Sequence, residues 1–113
     1  MSRLQPDIFY HIYNHANGAD NLFREERNYH YFIQQWEKYI LPIADTYAYC
    51  LMPNHFHALI KIKGIETLSK NEKFESILRD PTGFENLSGL ISKQFGNFFN
   101  SYAKAFNKMY DRR

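Results

Sequence analysis

The chain has 113 residues, which gives room for one domain and little for a second. It is 44% hydrophobic and 23% charged, a balance that requires a packed core and excludes bulk disorder. A net charge of +2 permits nucleic-acid binding without requiring it, and no apolar run approaches the roughly 20 residues that cross a bilayer.

Aromatic residues make up 18% of the chain, with 9 Tyr and 10 Phe. Two readings fit: a small core filled with large rings, or a core plus a surface on which unpaired bases stack. The one cysteine, Cys50, cannot form an internal disulfide. It lies in an apolar run, so the expectation is a buried, inert thiol in a cytoplasmic protein. Met1 to Asp7 is polar and has no apolar h-region, so no signal peptide is expected.

Ile8 to His15 is aromatic and β-branched and predicts a first strand, followed by a turn over residues 16–21. Glu25 to Leu41 predicts a helix: Tyr29, Phe32, Ile33, Trp36 and Ile40 recur at helical spacing, Glu25 and Glu26 suit its first turn, and Pro42 ends it. Ala44 to Met52 predicts a second strand and His55 to Lys63 a third, stopped by Gly64. Only Pro53 and Asn54 separate them, which predicts a hairpin of antiparallel neighbours. Residues 65–86 are polar, with Pro81 and Gly83, and predict a loop with room for one short helical piece. Leu87 to Met109 predicts a long helix with Asn86 as its N-cap. Its apolar stripe runs through Leu87, Leu90, Ile91, Phe95, Phe98, Phe99, Tyr102, Phe106 and Met109, opposite Lys93, Asn97, Asn100, Lys104 and Lys108. The order β-α-β-β-α predicts an α+β fold: a ferredoxin-like antiparallel sheet with helices on one face, lacking the last strand of that unit.

His55 and His57 are one residue apart in a strand, so both imidazoles leave the same face and could chelate one metal ion. That face continues through Leu59 to Lys61 and Lys63, candidate phosphate-binding residues, whereas Phe56, Ala58, Ile60 and Ile62 form an apolar face opposite. A His-x-His pair alone is weak: two such residues can also be plain surface or packed histidines. His11 and His15 share a face of the first strand and could approach the pair if that strand is adjacent. The reading taken is two separate histidines, one buried and hydrogen-bonded and one at a strand end.

The longer string Tyr49-Cys50-Leu51-Met52-Pro53-Asn54-His55-Phe56-His57-Ala58-Leu59-Ile60 resembles the signature of the HUH-type single-tyrosine transposases, most of all the REP-associated branch. Tyr10-His11-Ile12-Tyr13-Asn14-His15, Leu22-Phe23 and the run from Phe99 to Lys108 resemble that family's opening strand, loop and last helix of the unit, in family order and over nearly the whole chain. The resemblance implies a DNA-binding protein that cleaves and joins single-stranded or hairpin DNA. In that chemistry a tyrosine hydroxyl attacks a phosphodiester, giving a 5′-phosphotyrosine and a free 3′-OH. It also implies that His55 and His57 hold a divalent cation, Mg or Mn, acting on the scissile phosphate as Lewis acid and template. Imidazole is an unusual partner for Mg and a better one for Mn.

The chain departs from the family at the nucleophile. Relatives carry it on a further helix after a fourth strand, in a Tyr-Ile-x-x-Asn-Pro motif whose Tyr and Asn share a helical face. No such motif occurs before the end at Asp111-Arg112-Arg113. Tyr102 is the candidate substitute, but it lies in the apolar stripe with Phe106 four positions on, so it reads more readily as core; Tyr110 has no polar residue four positions on. The open sheet edge expected here predicts a homodimer or strand exchange. The alternative function is a DNA-binding remnant that recognises hairpins or single strands without cutting. A small metal-dependent hydrolase or cupin-like binder fits less well, because no acidic residue follows the histidines and two long helices do not suit an all-β barrel.

Overall fold

The structure is a computed structural model that describes residues 4–16, 21–72, 74–75 and 83–111, with side chains of the last segment described from residue 86 onward. It is an α+β structure in which a three-stranded antiparallel sheet packs against helices. The strands are β1 (Phe9–His15), β2 (Ala44–Met52) and β3 (His55–Ile62), and the helices are α1 (Glu26–Tyr39), the one-turn α2 (Ile65–Leu68) and α3 (Gly83–Met109). The strand order is β1-β3-β2, and β3 runs antiparallel to both neighbours.

The period-two pattern of β3 builds the core. Phe56, Ala58, Ile60 and Ile62 are all buried on one face, under α1 and α3. The Phe56 ring meets Phe32 and Trp36 of α1 at 5.0 and 6.5 Å and Phe99 of α3 at 5.8 Å, distances suited to edge-on aromatic packing. Phe32, Trp36 and Ile40 of the α1 stripe are buried as expected, and so are Leu87, Ile91, Phe95, Phe98, Tyr102 and Phe106 of α3; Met109 is exposed. The Trp36 indole donates to Thr46 Oγ1 at 2.9 Å, which ties α1 to β2 and satisfies a buried donor. At the start of α1, the buried Asn28 side chain accepts the backbone N–H groups of Arg24 and Glu25 at 2.7 and 2.8 Å, two donors that no helical carbonyl could reach.

Three expectations change. α3 begins at Gly83, so Asn86 lies inside its first turn and is not the N-cap. A polar residue ahead of an apolar stripe resembles a cap, but the backbone can run helically before burial begins, and nothing in the preceding Phe84-Glu85 opposes it. The polar stretch after Gly64 is less loop-like than expected, holding α2 and the first turn of α3. Cys50 is exposed, not buried. A β-bulge between Thr46 and Ala48 inserts one residue into β2 and reverses the alternation beyond it. Thr46 still faces the helices, but Tyr49 and Leu51 then take that side, and Cys50, paired with His57, turns to the other. Residues 17–20, most of the expected turn, and Pro81 lie outside the described residues.

Candidate functional site

Among the described residues, no helix packs on the second face of the sheet. The register places His15 opposite His55, Tyr13 opposite His57, and His11 opposite Leu59. On the other flank Met52 lies opposite His55 and Cys50 opposite His57. Side chains in register share a face, so His11, Tyr13, His15, Cys50, Met52, His55, His57 and Leu59 all project from the uncovered side. His55 and His57 are half-buried by one another and by β1, and the two β1 histidines are exposed.

The four imidazoles form one cluster. The rings of His55 and His57 lie 5.0 Å apart at 83°, those of His15 and His55 5.0 Å apart, and those of His11 and His57 4.9 Å apart and nearly parallel. The reading that kept His11 and His15 apart from the pair, one of them buried, is therefore corrected. Strand adjacency decides this, and the i, i+4 spacing of His11 and His15 carries no information about it.

Hydrogen bonds engage one nitrogen of each central ring. His55 Nδ1 lies 2.7 Å from Asn54 Oδ1, and His57 Nδ1 lies 2.8 Å from His11 Nε2. An amide oxygen only accepts, so the first contact puts the proton on His55 Nδ1; in the second, either ring can supply it. Among the described residues, neither His55 Nε2 nor His57 Nε2 has a hydrogen-bond partner. Burial, and then the charges of His11, His55 and His15, hold the His57 pKa below the ordinary histidine value. Both causes favour the neutral ring, the form that binds a metal. Among the described residues no three His, Cys, Asp or Glu side chains converge on one point as a ready metal site.

Aromatic and basic groups flank the cluster. Phe9, half exposed, meets the exposed Tyr47 edge-on at 5.0 Å across β3, and Lys61 Nζ lies 5.4 Å from the Phe9 ring. Tyr47 follows Thr46 in the alternation of β2 and so stands on this side, where the bulge interrupts its pairing with β3. Lys63 follows the last residue of β3, and its Nζ lies 3.8 Å from Asp45 Oδ1, a loose, partly exposed pair that tempers its appeal to a phosphate. Tyr13 is 60% exposed, and its ring is 6.0 Å from His57 and 5.4 Å from His11.

Tyr102 stands elsewhere. It is buried on the helix side, its hydroxyl donates to the Leu22 carbonyl at 2.6 Å, and burial raises its pKa well above the ordinary phenol value. It shares with His15 the lining of a cleft of about 340 Å3 between the end of β1 and α3, together with Asn14, Asn100 and Asn107. Tyr110 packs by its ring against Phe106, and its hydroxyl donates to the Glu25 carboxylate.

Sequence reasoning thus placed His55 and His57 on one face but missed four partners of the site, His11, Tyr13, His15 and Cys50. His11 could have been found by pairing β1 with β3. Tyr13 follows from His11 by the same alternation. Cys50 was hidden by the bulge, for which Asp45-Thr46-Tyr47-Ala48 gives no visible signal. No family model, curated protein or solved structure matches this chain.

Proposed function

We propose that the chain is an HUH-type transposase-like domain whose uncovered sheet face binds single-stranded or hairpin DNA, with a divalent cation held by His55 Nε2 and His57 Nε2 at a backbone phosphate. The observation that carries this reading is the pair of imidazoles projecting side by side from the central strand, each with Nδ1 engaged and Nε2 without a hydrogen-bond partner among the described residues. The order β1-β3-β2, with β1 and β2 parallel to each other about an antiparallel β3, is compatible with the ferredoxin-like unit to which we assign the chain. Mn is the better suited ion, because both protein donors are nitrogen. When bound, the cation supplies Lewis acidity toward a phosphate oxygen.

The chain's own side chains would position the nucleic acid. Phe9 and Tyr47 offer ring surface for unpaired bases, where stacking contributes about 1–3 kcal/mol per base. Along β3, Lys61 is four residues from His57, about 13 Å at strand rise, and would meet the backbone a short way from the histidines. Cleavage requires a tyrosyl oxygen at this face: it bonds to phosphorus as the P–O3′ bond breaks, and the phenolic proton ends on the 3′-oxygen. Tyr13 meets the requirement of position and Tyr102 does not. That burial of Tyr102 favours the second reading, a DNA-binding remnant that does not cut. The outer edges of β1 and β2 carry no strand partner among the described residues, so pairing with a second copy is part of the proposal. A monomer in light scattering at high concentration would remove that part alone.

The test is incubation of the chain with hairpin-bearing single-stranded DNA and Mn2+, followed by native and denaturing gels. We expect DNA retention that is lost on chelation and in His57→Ala. A covalent band lost in Tyr13→Phe would establish cleavage, and retention with no band the remnant reading. Retention that survives both chelation and His57→Ala sinks the proposal.

A further inference from the structure

The two central histidines are gripped at the same ring atom by neighbours of different kinds. A neutral imidazole carries one proton, and its other nitrogen is the only one able to bind a cation. An imidazole left to itself in water prefers the proton on Nε2, which would close the outward nitrogen to a metal. An acceptor placed against Nδ1 reverses that preference. Asn54 Oδ1 stands 2.7 Å from His55 Nδ1, and His11 Nε2 stands 2.8 Å from His57 Nδ1.

From these contacts we infer that Asn54 and His11 are positioning residues that set the tautomers of His55 and His57, so that both rings present an Nε2 lone pair on the uncovered face. The inference rests on the metal reading above and deepens it. Asn54 can only accept at its oxygen, so it fixes His55 whether or not an ion is present. His11 accepts from His57 Nδ1–H when the cation occupies His57 Nε2, its own proton then residing on Nδ1. The near-parallel stacking of the His11 and His57 rings, 4.9 Å apart at 18°, fixes the His57 ring plane as well. His11 turns its Nε2 to His57 Nδ1, behind the ring, and this contact distinguishes a positioning role from that of a third ligand. Partners of this kind, hydrogen-bonded behind a ligating imidazole, typically change metal affinity by roughly 10- to 100-fold.

Two measurements test the inference. Long-range 1H–15N correlation spectra of the metal-free protein read the tautomers directly: His55 should be protonated on Nδ1 in the wild type and shift toward Nε2–H in Asn54→Ala. A wild-type His55 protonated on Nε2 overturns the inference whatever the metal does. Titration calorimetry with Mn2+ then compares His11→Leu with His11→Gln, whose amide oxygen can replace the lost acceptor. His11→Leu and Asn54→Ala should each weaken binding roughly 10- to 100-fold, with His11→Gln recovering most of the loss. His11→Gln as weak as His11→Leu would make His11 a ligand and overturn its positioning role, as would an unaffected His11→Leu. Wild-type protein that binds no Mn2+ fails the metal reading instead, and the His55 tautomer still decides whether Asn54 positions the ring. Circular dichroism of each variant verifies the fold.

Discussion

The two faces of β3 divide the protein. On the helix side, Phe56, Ala58, Ile60 and Ile62 are buried, Phe56 among aromatic rings of α1 and α3. On the uncovered side, His55, His57, Leu59 and Lys61 alternate with them residue by residue, and their neighbours are histidines, tyrosine and solvent. Adjacent residues of one strand therefore do different work: one set holds the strand in place, and the other uses that fixed place to aim its nitrogens. Because the side-chain period is two, no residue of β3 can belong to both sets.

Adjacent substitutions should separate the two faces most sharply. Phe56→Ala removes a ring that is 1% exposed and leaves Phe32, Trp36 and Phe99 facing a void. Its expected cost is about 3–5 kcal/mol, which a urea midpoint would show as a large loss or as failure to fold. His57→Ala, one residue on, should change the same midpoint by less than about 1 kcal/mol, because its ring lies on the side without a packed layer. Comparable losses from both would mean that the histidine face is a second core and would break the comparison.

The histidine face was partly legible in the sequence, and the reasons are local. His55, His57 and Lys61 alternate with Phe56, Ala58, Ile60 and Ile62, with Leu59 the one apolar residue on the polar face, so the two faces could be read without knowing any partner. The stripes of α1 and α3 were legible for the same reason, since periodicity along one element needs no tertiary information. What belongs to the pairing of elements was not legible. His11 reaches His57 across 46 residues of sequence, and only the β1–β3 register brings them to 2.8 Å. Cys50 shows the stricter limit: a single inserted residue at Tyr47 inverts the faces of everything after it in β2.

Tyr102 sharpens the comparison at intermediate scale. Its hydroxyl donates to the Leu22 carbonyl at 2.6 Å, holding α3 against the segment before α1. Tyr102→Phe keeps the ring and deletes that bond, so the expected cost is about 0.5–1.5 kcal/mol, read as a shifted urea midpoint. Tyr13→Phe, on the uncovered face, should leave the midpoint unchanged. In DNA-adduct gels the two variants should exchange roles, with Tyr102→Phe without effect. An adduct lost in Tyr102→Phe but kept in Tyr13→Phe would move the chemistry to the cleft beside α3.

The smallest expected effect lies at the rim of the packed side, where the start of α1 meets the end of α3. The Glu25 carboxyl is held below its ordinary pKa, first by the Tyr110 hydroxyl that donates to it and then by Arg27. A carboxyl whose folded pKa is lowered contributes stability that is fully present above its unfolded pKa and is lost as pH falls through the folded one. Wild-type protein should therefore be slightly more stable than Glu25→Gln near neutral pH, and the two urea midpoints should converge as pH drops below the carboxylate range. The Glu25–Arg27 pair is exposed, so high salt should weaken it and leave the Tyr110 hydrogen bond. A gap that widens with acid would assign the stabilisation to the protonated carboxyl, and the contact between Glu25 and Tyr110 could then not be its source.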